Sequence, residues 1–260
     1  MKVVLFCGGL GMRLRQFSET MPKPMVSVGY RPILWHVMKY YAHFGHTDFI
    51  LCLGHRGDLI KKYFVSYDEC VSNDFVLSKG GKDLSLLNSD IGDWRITFVD
   101  TGLNANIGQR LCAVRKHLSG EEMFLANYAD GLTDLHFPDY LERFRASGKI
   151  ASFISVKPTQ SFHVVTIKGD EEVASIKPMA DSPLWINAGY FVFRKEIFDF
   201  IKTGEDLVME PFQRLIKDRC IMTHKHEGFW MAMDTFKDKQ FLDEMVSKDS
   251  VPWEVWRKKK

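Results

Sequence analysis

Apolar positions along the chain fall into short runs that switch between two rhythms. Residues 2–7 form a continuous apolar, β-branched run that stops at Gly8-Gly9. Unbroken rather than alternating hydrophobicity predicts a strand buried on both faces. Pro32 then opens a stretch to Gly45 whose apolar residues recur at helical spacing, with proline in the favoured first turn and glycine at the stop. The pattern repeats. Residues 48–54, 95–102 and 122–131 read as strands, and residues 57–64, 107–118 and 137–148 as helices. Strands alternating with helices predict the α/β class with a parallel sheet, whose ligands sit beyond the carboxyl ends of the strands.

From about residue 149 the rhythm changes. Segments 151–156, 163–169, 172–178 and 185–193 are strand-like and separated by turn residues without helices between them. They are expected to extend or cap the sheet in mixed direction. Helices are predicted at 195–201, 206–217 and 236–247, with a strand at 221–227. Residues 68–92 have weak periodicity and many Ser, Asp and Gly, which predicts an insertion or hairpin. A length of 260 residues fits one large α/β domain spanning 1–260.

Composition adds exclusions. Hydrophobic residues make up 45% and charged residues 26% of the chain, enough apolar material for a large core. Thirty-five basic residues face 33 acidic ones, so no global field favours nucleic acid or an anionic membrane. The basic run Arg257–Lys260 reads as a solvated terminus. Five scattered cysteines without a C-x-x-C pair suggest neither a disulfide framework nor a zinc site. The apolar run Val3–Cys7 is too short for a secretory h-region, and no stretch approaches a membrane span, so a cytoplasmic protein is expected.

Candidate chemistry begins where the first strand ends. Gly8-Gly9-Leu10-Gly11-Met12-Arg13 places free backbone N–H groups at the end of a central strand, where phosphate can approach closely. It is neither G-x-G-x-x-G nor a P-loop, which argues against a nicotinamide-dependent oxidoreductase. Lys23 lies between Pro22 and Pro24, a stiffened backbone presenting one cation. Asp130 directly follows a strand and Asp234 directly precedes a helix. Two carboxylates at element ends suit a shared hard cation, while the plainer reading of Asp234 is an N-cap. His224 and His226 would share one strand face, a pattern more often packing than metal binding.

Taken together, GGLGMRL, PKPM and GYRPILWH resemble the sugar-1-phosphate nucleotidyltransferase family, and within it the glucose-1-phosphate cytidylyltransferases most closely. CLGHRGDLIKKYF, GQRL, YADGLTD, INAGYFVF, MEPF, GFWMAMDTFKDK and PWEVW extend the resemblance over nearly the whole chain. The resemblance implies a Rossmann-like fold with a mixed, mostly parallel central sheet flanked by helices, a required Mg2+ and a homo-oligomer. It implies transfer of a nucleotidyl group from an NTP, CTP foremost, to a sugar 1-phosphate, glucose 1-phosphate foremost, with release of pyrophosphate. On that basis residues 149–260 carry the sugar-binding half and the C-terminal helices.

The resemblance also assigns residues. Asp130 and Asp234 would hold the metal, with Asp130 also in the catalytic set beside Arg13 and Lys23, which would neutralise the triphosphate. Leu10, Gly11 and Met12 would contact phosphate or base, and Gln109 and Arg110 lie in the base-contacting segment. Lys177 would hold the sugar phosphate, and Asn187 and Glu210 the sugar hydroxyls. Met12, Gln109, Ala129, His163 and Ile176 depart from the residues usual in the family, so the sugar pocket is expected to be remodelled. Two alternatives stay open: the same transfer with another base or a modified sugar phosphate, and a non-catalytic nucleotide-sugar-binding protein of the same fold.

Overall fold

The computed structural model describes residues 1–9, 21–158 and 162–257. An eight-stranded sheet forms the centre. Its strands are β1 (Val3–Phe6), β2 (Asp48–Leu53), β3 (Arg95–Asp100), β4 (Met123–Tyr128), β5 (Ala151–Val156), β6 (Ile186–Asn187), β7 (Phe191–Arg194) and β8 (Ile221–His226). Parallel pairing joins β4 to β1, β1 to β2 and β2 to β3. Antiparallel β7 links β4 to β5, short β6 also pairs antiparallel with β5, and β8 runs parallel to β5. The mixed direction expected after residue 149 is observed. The expected single strand over 185–193 is split into β6 and β7 at Gly189 and Tyr190, which adopt φ of 77° and 51°.

The helices are α1 (Ile33–His43), α2 (Gly57–Val65), α3 (Ile107–Val114), α4 (Phe137–Ser147), α5 (Glu210–Lys217) and α6 (Phe236–Ser247). Residues 195–199 and 115–118 wind as 3-10 turns, shorter than the helices expected there. Strand alternation divides the core in two. Val3, Leu5, Phe49, Leu51 and Leu125 face a layer with α1 and α4. Val4, Phe6, Ile50, Cys52, Phe124 and Ala126 face a layer with α3 and α5. Because β1 has neighbours in the sheet on both edges and packed layers on both faces, all four of its residues are buried, as its unbroken apolar run requires.

Two ribbons stand off the sheet, each pairing only with itself. Phe75–Ser78 and Asp83–Leu86 form one, and His163–Lys168 and Glu172–Pro178 the other. Arg31 anchors the first: its guanidinium donates to Ser72 Oγ, Tyr63 Oη and the Asp68 carbonyl, and lies over the Tyr67 ring.

The C-terminal segment closes over α1. Trp253 is buried, and Glu254 Oε1 lies 3.7 Å from Nδ1 of fully buried His36. His36 Nε2 donates to the Val28 carbonyl at 2.9 Å. Burial pulls the His36 pKa down to about 4. Burial also raises Glu254, although the adjacent Arg257 works the other way. A histidine kept neutral in the fold but protonated below about 6.5 when unfolded supports stability above that pH, and the support fades as pH falls toward 4. The raised Glu254 acts in the opposite sense. Its stabilisation is present below the ordinary carboxylate pKa and is lost as pH rises. Comparing wild type with His36→Gln isolates the histidine. The wild type is expected to lose on the order of 3 kcal/mol more than the variant between pH 7 and pH 4, measured by urea unfolding.

Candidate functional site

The carboxyl ends of β1, β2 and β4 meet at one edge. Gly8 lies just beyond β1 and against Gly54, which directly follows β2. A Cβ on Gly54 would stand 2.7 Å from the Gly8 carbonyl oxygen, and one on Gly8 would stand 2.1 Å from Arg110 Nη1, so neither position has room for a side chain. Leu10, Gly11, Met12 and Arg13, which continue this loop, lie outside the described residues.

The resemblance places Arg110 beside a nucleotide base; in the structure its guanidinium faces inward instead. Arg110 is 3% exposed. Its Nη1 donates to the Leu53 carbonyl and to Thr101 Oγ1, and its Nη2 to the carbonyls of Gly8 and Leu103. Burial lowers its pKa, although Cys52, Cys7 and Asp100 favour the charge. The side chain starts on α3 and ties the ends of β1 and β2 together. Gln109 is exposed and also committed locally. Its Oε1 accepts from the Asn106 N–H while its own N–H donates to Asn106 Oδ1, a capping box that starts α3.

The carboxylates converge. Gly131–Thr133 pairs antiparallel with Trp230–Ala232, Ala232 standing opposite Gly131. The Met233 N–H donates to the Asp130 carbonyl at 3.0 Å. That register sets Asp234 beside Asp130. Asp234 is not the cap of α6: Thr235 takes that role, accepting from the Asp238 N–H, and the Asp238 carboxylate in turn accepts from the N–H groups of Asp234 and Thr235. The cap of α6 is thus formed by Thr235 and Asp238.

Lys23 joins them. It lies in a 3-10 turn over Lys23–Met25 whose Pro24 is buried. Its Nζ donates to Asp130 Oδ2 and to Asp234 Oδ1, each at 2.6 Å, across 107 and 211 residues of sequence. Burial opposes the ammonium charge, but the two carboxylates outweigh it and raise the lysine above its ordinary pKa. Lys23 is therefore a fixed cation at neutral pH.

A buried frame supports this cluster. Asn127 Oδ1 accepts from the Tyr190 N–H, and Tyr190 Oη donates to the Gly131 carbonyl. Trp230 Nε1 donates to the Ala188 carbonyl. Tyr190 keeps its left-handed backbone because both its N–H and its hydroxyl are held in this way. Burial raises the Tyr128 pKa, and Asp206 and Asp130 add to the rise. The sequence reading singled out none of Asn127, Tyr128 and Tyr190. The available signal was a polar Asn inside an apolar strand.

The residues expected on the sugar side are more dispersed. Asn187 is exposed, and its Oδ1 accepts from the Gly189 N–H at 2.9 Å. Glu210 is exposed in the first turn of α5. Lys177 is exposed on the second ribbon, opposite Val164. Among the described residues neither Glu210 nor Lys177 bonds to the Lys23 cluster. His226 packs locally: its Nε2 lies 3.0 Å from Asp134 and contacts Thr133 and the Phe229 carbonyl.

Among the described residues no group of three or more His, Cys, Asp or Glu side chains could hold a metal. Two carboxylate oxygens reaching one ammonium are no farther apart than twice 2.6 Å. That set fits magnesium, which takes one or two carboxylates and completes its shell with phosphate oxygens and water.

Residues 2–243 match the family model described as Nucleotidyl transferase. A glucose-1-phosphate cytidylyltransferase of Salmonella typhimurium is 35% identical over 258 residues, covering 98% of this chain and all of that protein. The enzyme of the same name from Salmonella typhi is also 35% identical with the same coverage. Among solved structures, UDP-glucose pyrophosphorylase complexed with UDP-glucose superposes with a TM-score of 0.70 at 15% identity, covering 95% of this chain and 98% of the other.

Proposed function

Because the chain belongs to the nucleotidyl transferase family, we propose that it transfers a cytidylyl group from CTP to glucose 1-phosphate, releasing pyrophosphate and forming CDP-glucose. The observation that carries the reading is the convergence of Lys23, Asp130 and Asp234 at the carboxyl end of the central strands. The choice of base and sugar is supported by the relatives of that name, which match at full length.

The phosphate of a sugar 1-phosphate is already an ionised nucleophile, so the reaction needs no general base. Its oxygen attacks the α-phosphorus of the NTP in line, and pyrophosphate leaves. The obstacle is the approach of two polyanions: unit charges about 4 Å apart repel by roughly 4 kcal/mol at an effective dielectric near 20. Fixed cations and positioning therefore supply the catalysis. Asp130 and Asp234 would hold Mg2+, which when bound neutralises charge shared between the α-phosphate and the incoming phosphate. Lys23 is assigned to the phosphates of the NTP, with Arg13 and the N–H groups of Leu10, Gly11 and Met12. Lys177, Asn187 and Glu210 are assigned to the sugar phosphate and its hydroxyls.

The test is pyrophosphate release from glucose 1-phosphate with CTP, UTP, dTTP, ATP and GTP in turn, with and without magnesium. Release with CTP, at least ten-fold above the other bases and abolished by chelation, is the expected result. Release with a different base, or only with another sugar phosphate, would overturn the substrate assignment. No release with any pairing would favour a nucleotide-sugar binder.

A further inference from the structure

Lys23 holds both candidate metal carboxylates at once, and this has consequences for how the site fills. From this geometry we infer that the Lys23 ammonium occupies the cation position of the substrate-free enzyme, so that a divalent cation is retained only together with a polyphosphate that draws Lys23 away. The inference rests on the metal assignment of Asp130 and Asp234 made above.

Both contacts are 2.6 Å, the length of charge-assisted hydrogen bonds, and the lysine side chain is 14% exposed. Two carboxylates brought this close without a cation would repel, and Lys23 removes that cost. A divalent ion arriving alone meets a position already filled by a positive charge. It must expel the ammonium from both carboxylates at once. The turn around Lys23 cannot retreat with it, because Pro22 and buried Pro24 fix the backbone on either side. Only the side chain is free to swing.

A nucleoside triphosphate changes the balance. Its phosphate oxygens give the ammonium new partners and give the metal the ligands that two carboxylates cannot supply, since among the described residues no third His, Cys, Asp or Glu completes a metal site. One cation is exchanged for another across the same two carboxylates, and the lysine moves from carboxylate to phosphate. The metal thus enters as a metal–nucleotide complex, and an uncharged residue at position 23 opens the site to the bare ion.

Mn2+ titration followed by the electron paramagnetic resonance signal of the free ion tests this. Wild type, Lys23→Met, Lys23→Gln and Lys23→Met/Asp130→Asn are compared in the absence of nucleotide. Both single variants are expected to bind Mn2+ at least ten-fold more tightly than wild type and to melt at higher temperature when Mn2+ is added. The double variant is expected to lose that gain. For wild type, water-proton relaxation should report protein-bound Mn2+ only once tripolyphosphate is present. Single variants that bind Mn2+ no more tightly than wild type overturn the exchange while leaving the carboxylates as metal ligands during turnover. A double variant that still binds as tightly as Lys23→Met removes Asp130 from the metal site and overturns both readings.

Discussion

Replacing Asp130 with alanine lowers turnover by about three orders of magnitude, which is roughly 4 kcal/mol of transition-state stabilisation at 1.36 kcal/mol per decade. The magnitude is that of removing one preorganised electrostatic partner from a site where charge develops. The fold should tolerate the change. Asp130 is partly exposed, its backbone carbonyl keeps the Met233 N–H, and Lys23 keeps Asp234. Pyrophosphate release at saturating nucleotide, beside a thermal melt followed by circular dichroism, separates chemistry from folding. A loss below ten-fold with an unchanged melt would remove Asp130 from the reaction. Asp130→Asn is the stricter variant, since it keeps shape and loses only the charge that Lys23 and the proposed metal both need.

Arg110→Leu is expected to act first on stability. The leucine fills part of the space, but the carbonyls of Gly8 and Leu103 lose their guanidinium donors. Leu53 is less affected, because its carbonyl also accepts from the Thr101 N–H and hydroxyl. The buried Gly8 acceptor left without a partner costs about 1–3 kcal/mol, whereas the Leu103 carbonyl, on an exposed residue, can turn to water. A loss near 2 kcal/mol lowers the thermal midpoint by roughly 4–8 °C for a chain of this size. Arg110→Lys does not restore it, since an ammonium cannot fork between acceptors as a guanidinium does. The loosened end of β1 should also raise KM for the nucleotide more than it lowers kcat. A variant with wild-type stability and a kcat defect alone would instead place Arg110 in direct contact with the reacting groups.

These two expectations differ in how far the sequence anticipated them. Asp130 was legible: a carboxylate directly after a buried apolar strand, at the sheet end where α/β proteins bind ligands. Arg110 was legible as a candidate but not in its orientation. Whether an arginine opening a helix points to solvent or into the sheet depends on oxygens presented by Gly8, Leu53 and Leu103, which lie on other segments. The same limit applies to Asp234. Read locally it is a helix cap, and only Thr235 and Asp238 in place show that the cap is supplied without it.

The alternation of strand and helix, the mixed strands after residue 149, the glycine stop after β1 and the exceptional Pro-Lys-Pro turn follow from local chemistry: side-chain periodicity, proline's fixed φ and glycine's lack of a Cβ act within a few residues. The contact between Lys23 and two aspartates 107 and 211 residues away does not. It arises from the register between Gly131–Thr133 and Trp230–Ala232 and from the bend at Gly189 and Tyr190 that Asn127 holds. Hydrophobic pattern determines which face of an element is buried, but it is blind to which distant element stands opposite. The tertiary structure alone decided that one lysine meets these two carboxylates.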